Sequence, residues 1–154
     1  MSIAVFASVK GAKMVAKKLA KAGDNYQQAV AVSILQKGLQ IIADAIPITP
    51  RKVGLLRDSA YAVPPVSIRN PQVYIGYAME YAAAVHERQA RHDSPTQWKY
   101  LSTPLNKHKQ GYSTWIARKA QENYARGTRI GSVSSNLPKS ESAAKAKAGK
   151  GKGK

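Results

Sequence analysis

Apolar residues recur at helical spacing from the start of the chain: Val5, Val9, Ala12, Ala16, Leu19 and Ala20, with lysines filling the positions between. The pattern breaks at Gly23 and Asp24, and an aspartate there can cap a new helix, so one helix is expected to stop and a second to begin. Tyr26, Val30, Ser33, Ile34, Lys37, Ile41 and Ala45 mark one side of that second helix, and Leu35, Leu39 and Ile42 widen its apolar stripe. It should end near Ile46. Pro47 lacks an amide hydrogen and disfavours a helical residue before it.

Two β segments come next. Leu55 to Val63 is closed by Pro64 and Pro65, and Gln72 to Tyr77 is introduced by Asn70 and Pro71. In the first, Leu55, Arg57, Ser59 and Tyr61 would share one face, and Leu56, Asp58 and Ala60 the other. Gly54 is placed for a positive φ where the chain turns back. A short helix is expected from Met79 (MEYAAAVHE), then a polar loop, the segment KYLSTPL and a last helix. In that helix Tyr112, Trp115, Ile116, Ala120, Asn123 and Tyr124 fall on one face. The order of elements predicts an α+β fold with long N-terminal helices, a small antiparallel sheet and a C-terminal helix.

Beyond Gly127 large apolar groups almost disappear and Gly, Ser, Ala and Lys take over. Too little surface remains there to offset the entropy of ordering. The expected organisation is one domain over residues 1–127 and a low-complexity basic tail over 128–154. A chain of 154 residues suits a single domain.

Charge changes the picture. Twenty-five Lys and Arg stand against eight Asp and Glu, a formal charge of +17 and a pI near 10.2. Lys10, Lys13, Lys17, Lys18 and Lys21 carry the first part without one acid, and the last sixteen residues hold six lysines, Lys145, Lys147, Lys150, Lys152 and Lys154 among them, against Glu141. An isolated fold gains nothing from such self-repulsion, so a polyanion or an acidic protein surface is the expected neighbour. The tail lysines would suit nonspecific phosphate contact or, equally, a solubilising terminus. The absence of cysteine excludes disulfides and thiolate metal sites. No uninterrupted apolar run reaches membrane-span length, and no basic region precedes the short apolar start, so neither a span nor a secretory signal is expected.

Catalytic patterns are sparse. HERQARHD, residues 86–93, contains His86 and His92, but the position four after His86 is Ala90, so the two-histidine zinc helix is not formed. His92, Asp93 and His108 leave a small nuclease as a weak alternative. GKGKGK has lysines and glycines without phosphate-loop spacing, Ser59 stands in no nucleophile elbow, and the carboxylates are too scattered to nominate an acid–base pair. Zinc-finger spacing and RNA-binding aromatic patterns are missing. A helix-turn-helix around Gly23 keeps DNA binding open, although Tyr26, Gln27 and Gln28 fit a plain helix N-terminus equally well.

Residues 50–59, PRKVGLLRDS, resemble the proline, two variable residues, threonine, glycine, x, leucine, arginine, x, serine signature of small neck or tail-completion proteins of tailed bacteriophages. Pro50, Gly54, Leu56, Arg57 and Ser59 match it, while Val53 stands for the usual threonine and Lys52 for a frequent aspartate. Tyr81, Ala82, Val85 and Glu87 are similar to the family's Tyr-Ala-x-x-Val-x-Glu element. Tyr100, Leu101, Pro104 and Leu105 are similar to its Phe-Leu-x-Pro-Ala-Leu element. Arg88, Gln89 and Ala90 replace the Gly-Thr that usually follows the glutamate, so the loop over 88–97 is expected to be rebuilt.

The resemblance covers roughly residues 8–126. It implies a virion protein without enzymatic activity or cofactor, made in the bacterial host cytoplasm. Several copies would form a ring at the head–tail junction around the DNA channel, between head-completion or connector proteins and tail-terminator or tail-tube proteins. Lys10, Lys13, Lys17, Lys18, Arg51, Lys52, Arg57 and the tail lysines would face acidic neighbours or DNA. A nonspecific DNA-binding protein acting on free nucleic acid is the alternative.

Overall fold

The computed structural model describes residues 12–50, 54–89 and 94–133, the side chains of 12–16 excepted. The fold is α+β and mostly helical. Helix α1 spans Ala12–Ile48, a single-turn helix α2 Leu55–Asp58, strands β1 and β2 Ala60–Val63 and Tyr74–Tyr77, and helices α3, α4 and α5 Ala82–Glu87, Ser102–Lys109 and Tyr112–Arg126. A 3₁₀ turn follows at Ile130–Ser132. The two strands pair antiparallel, Tyr61 opposite Gly76 and Val63 opposite Tyr74.

Helix α1 is the axis, with α5, the hairpin, α4 and the 3₁₀ turn packed on it. Ala29, Ala31, Val32, Leu35, Ile41, Ile42, Ala45 and Ile46 are buried, nearly around the whole circumference of its C-terminal half. By length and composition Lys17–Ile48 could cross a membrane, which counting uninterrupted apolar residues does not reveal. Yet 61% of its most apolar part is buried within the fold.

Three expectations are corrected. First, α1 does not break at Gly23, and Asp24 caps nothing: a mid-helix glycine costs only about 1 kcal/mol relative to alanine, too little to interrupt a run of strong helix formers. Second, the segment expected as one strand from Leu55 is a helical turn followed by a four-residue strand. Gly54, at φ 86°, makes the turn the sequence anticipates, but α2 then buries Leu56 and leaves Leu55 exposed. Third, the last helix does not follow KYLSTPL directly: STPL opens a separate helix, α4, which tolerates Pro104 because the amides of a first turn have no intrahelical partner. The second strand begins at Tyr74, two residues inside the expected Gln72.

Helix α5 runs as expected, burying Ala120 and Asn123. Asn123 donates to Ser33 Oγ at 2.9 Å and Gln36 Oε1 at 3.0 Å, and Ser33 donates on to Ala29 O. The hairpin crosses α1 at Gly38, where a side chain would have its Cβ 2.7 Å from Val73 Cγ1. Of the expected tail, Thr128–Val133 belong to the described chain, and their 3₁₀ turn lies against α1.

Candidate functional site

The C-terminus of α1 exposes carbonyls that no helical amide can reach, and the following segments satisfy those of Ala45 to Thr49. Thr49 Oγ1 donates to Ala45 O at 2.7 Å, and the Thr49 amide reaches Ile46 O. Gln97 N donates to Ile48 O at 2.9 Å. Arg57 closes the set: Nε donates to Thr49 O at 2.8 Å and Nη2 to Pro47 O at 2.9 Å. A cation at this end also complements the helix dipole. Gly54 and the turn of α2 therefore aim the arginine back at the helix that the prolines ended. Ser59 Oγ donates to Leu56 O within the same turn.

Behind this cap lies a small core. Leu56, Ala82 and Tyr100 are buried together, with Ile48, Tyr77, Met79, Val85 and Leu101 packed around them. Tyr100, 1% exposed, donates to Ala82 O at 2.8 Å and meets the rings of Tyr77 and His86 edge-on. Burial, reinforced by Tyr77 and Tyr81, pushes its phenol up to about 12. Burial also raises Tyr77, against the opposing pull of its hydrogen bond to Thr49 and the charge of Arg57. Pro104 is buried and Tyr81 and Glu87 are exposed.

Two side-chain chains escaped the sequence reading. In the first, His86 Nδ1 lies 2.7 Å from Glu87 Oε1, and its Nε2 lies 3.1 Å from Ser102 Oγ and 3.4 Å from Ser102 N. Because the amide can only donate, Nε2 is the acceptor and Nδ1–H points at the glutamate. Hydroxyl, imidazole and carboxylate thus stand in charge-relay order beside a mainly apolar cleft of about 320 Å³. The amides that could stabilise an oxyanion are committed, however. Ser102 N donates to His86, Thr103 N to Lys99 O and Leu105 N to Leu101 O, and Pro104 has none. The arrangement is a cap on α4 that ties it to α3.

The second chain joins α1 to α4. Lys37, 6% exposed, places Nζ 3.1 Å from His108 Nδ1, 3.2 Å from Gln40 Oε1 and 4.4 Å from the centre of the Trp115 ring. An ammonium has no lone pair, so His108 Nδ1 accepts and Nε2–H donates to Asp44 Oδ2 at 2.8 Å. The signal was present in the sequence, since Lys37 interrupts an apolar stripe. Its partner lies 71 residues away, and no spacing rule connects them.

The basic candidates scatter. Lys17 and Lys18 stand exposed on the N-terminal half of α1. Arg57 is partly buried and committed to carbonyls. Lys13 lies on α1, its side chain outside the described set. Lys10, Arg51, Lys52, Lys145, Lys147, Lys150, Lys152 and Lys154 lie outside the described residues, as do His92 and Asp93 of the weak nuclease alternative. Among the described residues no three His, Cys, Asp or Glu gather as a metal site. No protein-family model matches the chain, and neither a curated protein nor a solved structure does.

Proposed function

We propose that the chain is a structural subunit of a tailed phage, a neck or tail-completion protein that joins a ring around the DNA channel between head and tail. One observation carries the reading. The three segments that resemble the phage family lie far apart in sequence, and their apolar members Leu56, Ala82, Val85, Tyr100 and Leu101 meet in one core. Their meeting gives the three segments a common structural task, the core behind the end of α1. Arg57, the signature's arginine, has a matching structural task in closing α1. The signature so read maintains a scaffold, while the lysines outside it serve acidic neighbours and DNA.

Mass spectrometry of purified particles tests the reading: the chain should be a stoichiometric virion component, and particles made without it should accumulate as filled heads and unjoined tails. Absence from intact particles overturns it. The charge of +17 favours a second reading, nonspecific binding to free DNA. That reading wins if the isolated protein binds duplex DNA tightly at low salt and loses orders of magnitude of affinity on reaching physiological salt.

A further inference from the structure

Helix α1 outruns its cover. Helix α5 ends opposite Tyr26, whose ring meets Tyr124 edge-on at 5.8 Å. Lys17 to Lys21 and Gly23 to Gln27 are exposed, with only Ala22 between them partly covered. Leu19 is 67% exposed. Leu19, Ala22 and Tyr26 follow three- and four-residue steps that continue through Ala29 to Ser33, both buried. An apolar seam covered in the core half therefore runs on uncovered, with Lys17 and Lys21 on the opposite side of the helix and Lys18, four residues before Ala22, along its edge. A stretch this short is marginal as an isolated helix in water, and its lysines repel one another.

A second apolar face is open elsewhere. The register puts Tyr61, Val63 and Tyr74 on the outer side of the hairpin, all exposed, Tyr74 at 63%. Val66, in the connection between the strands, is fully exposed. Charge distinguishes this block. From 54 to 89 the basic residues Arg57, Arg69 and Arg88 are matched by Asp58, Glu80 and Glu87. The stretch 12–27 sets four lysines against Asp24, and 94–133 sets seven basic residues against Glu122. The hairpin block and the enclosed stretch 28–50, with Lys37 and Asp44, are the described regions of no net charge, and of the two the hairpin leaves an apolar face open to a basic helix.

The two faces cannot meet within one molecule. Leu19 and Gly38, over which the hairpin lies, are 19 positions apart on an unbroken helix, about 28 Å at 1.5 Å per residue. We propose that the Leu19–Tyr26 seam of one copy docks on the Tyr61, Val63 and Tyr74 face of a second copy. The surfaces differ, so an unreciprocated contact leaves a free seam and a free face on every pair and repeats head-to-tail, closing as a ring where its rotation allows. This deepens the ring reading above and rests on it.

The chain has no cysteine, so single cysteines report the contact directly. Leu19→Cys and Tyr74→Cys proteins, mixed and mildly oxidised, should give the mixed adduct in excess over either homo-adduct. Leu19→Asp and Tyr74→Asp should each weaken self-association in sedimentation roughly tenfold, with unfolding midpoints unchanged at concentrations low enough for the parent to be monomeric. Dominant Leu19→Cys homo-adducts, association that appears only with added duplex DNA, unaltered association of the Asp variants, or a parent chain that stays monomeric each overturns the proposal. Virion composition decides the head–tail reading separately, so a chain found in particles but linked seam to seam refutes this contact alone.

Discussion

The two halves of α1 share one helix and little else. From Ala29 onward the helix is enclosed by α5, the hairpin and α4, and even its lysine, Lys37, is buried with partners. Before that point the same helix carries Leu19, Lys17, Lys18 and Lys21 into solvent. Helical backbone alone therefore says little about where stability resides. In the core half it comes from burial and satisfied polar groups, and in the projecting half only propensity and continuity hold the helix.

Leucine truncation separates the two environments most sharply. Leu56→Ala, in the core at the end of α1, should cost about 2–5 kcal/mol in denaturant unfolding, whereas Leu19→Ala should stay within about 0.5 kcal/mol. Equal losses would mean that the projecting half is covered in the isolated protein.

Alkaline titration sharpens the same contrast. Below about pH 10 Tyr100 is protonated in folded and unfolded chains alike. Above it the unfolded phenol ionises while the folded one holds its proton up to about 12, so stability falls as pH rises between those values. The contribution lost is on the order of 2–3 kcal/mol. Tyr100→Phe should flatten this part of the stability profile, and at neutral pH it should cost about 1 kcal/mol for the lost bond to Ala82 O.

Two glycines of the one helix should answer alanine with opposite signs. At Gly38 the new methyl meets the stiff side chain of Val73 at 2.7 Å and Ile75 at 3.3 Å, so Gly38→Ala should destabilise by about 1–3 kcal/mol. At Gly23 nothing lies within 4 Å, and Gly23→Ala should stabilise by about 0.5–1 kcal/mol. A loss at Gly23 would instead support the break that the sequence pattern predicts. Thermal or urea unfolding of the pair measures both.

Much of the fold was legible because it rests on local rules. The hairpin, the short helix α3 and the last helix follow from periodicity and the turn at Gly54 from a positive φ, whereas α1 runs unbroken through Gly23 and one residue past Pro47. The candidate site was legible only as a motif. Pro50, Gly54, Leu56, Arg57 and Ser59 can be picked out in the chain, but alternation in LLRDSAY fits a strand as well as a turn. What tips it toward helix is remote: Leu56 finds Ala82 and Tyr100, and Arg57 finds the carbonyls of Pro47 and Thr49.

Taken by itself, the sequence determined the α+β class, the excess of positive charge, the lack of thiols and the places where backbone chemistry forces an end or a turn. Tertiary structure decided that α1 continues through Gly23 and that His86 caps α4 against Ser102. It also brought Lys37, His108 and Asp44 together and left residues 17–27 of α1 largely exposed. Those outcomes depend on which distant groups can satisfy a buried donor or cover an apolar seam, a competition among contacts that local spacing does not encode.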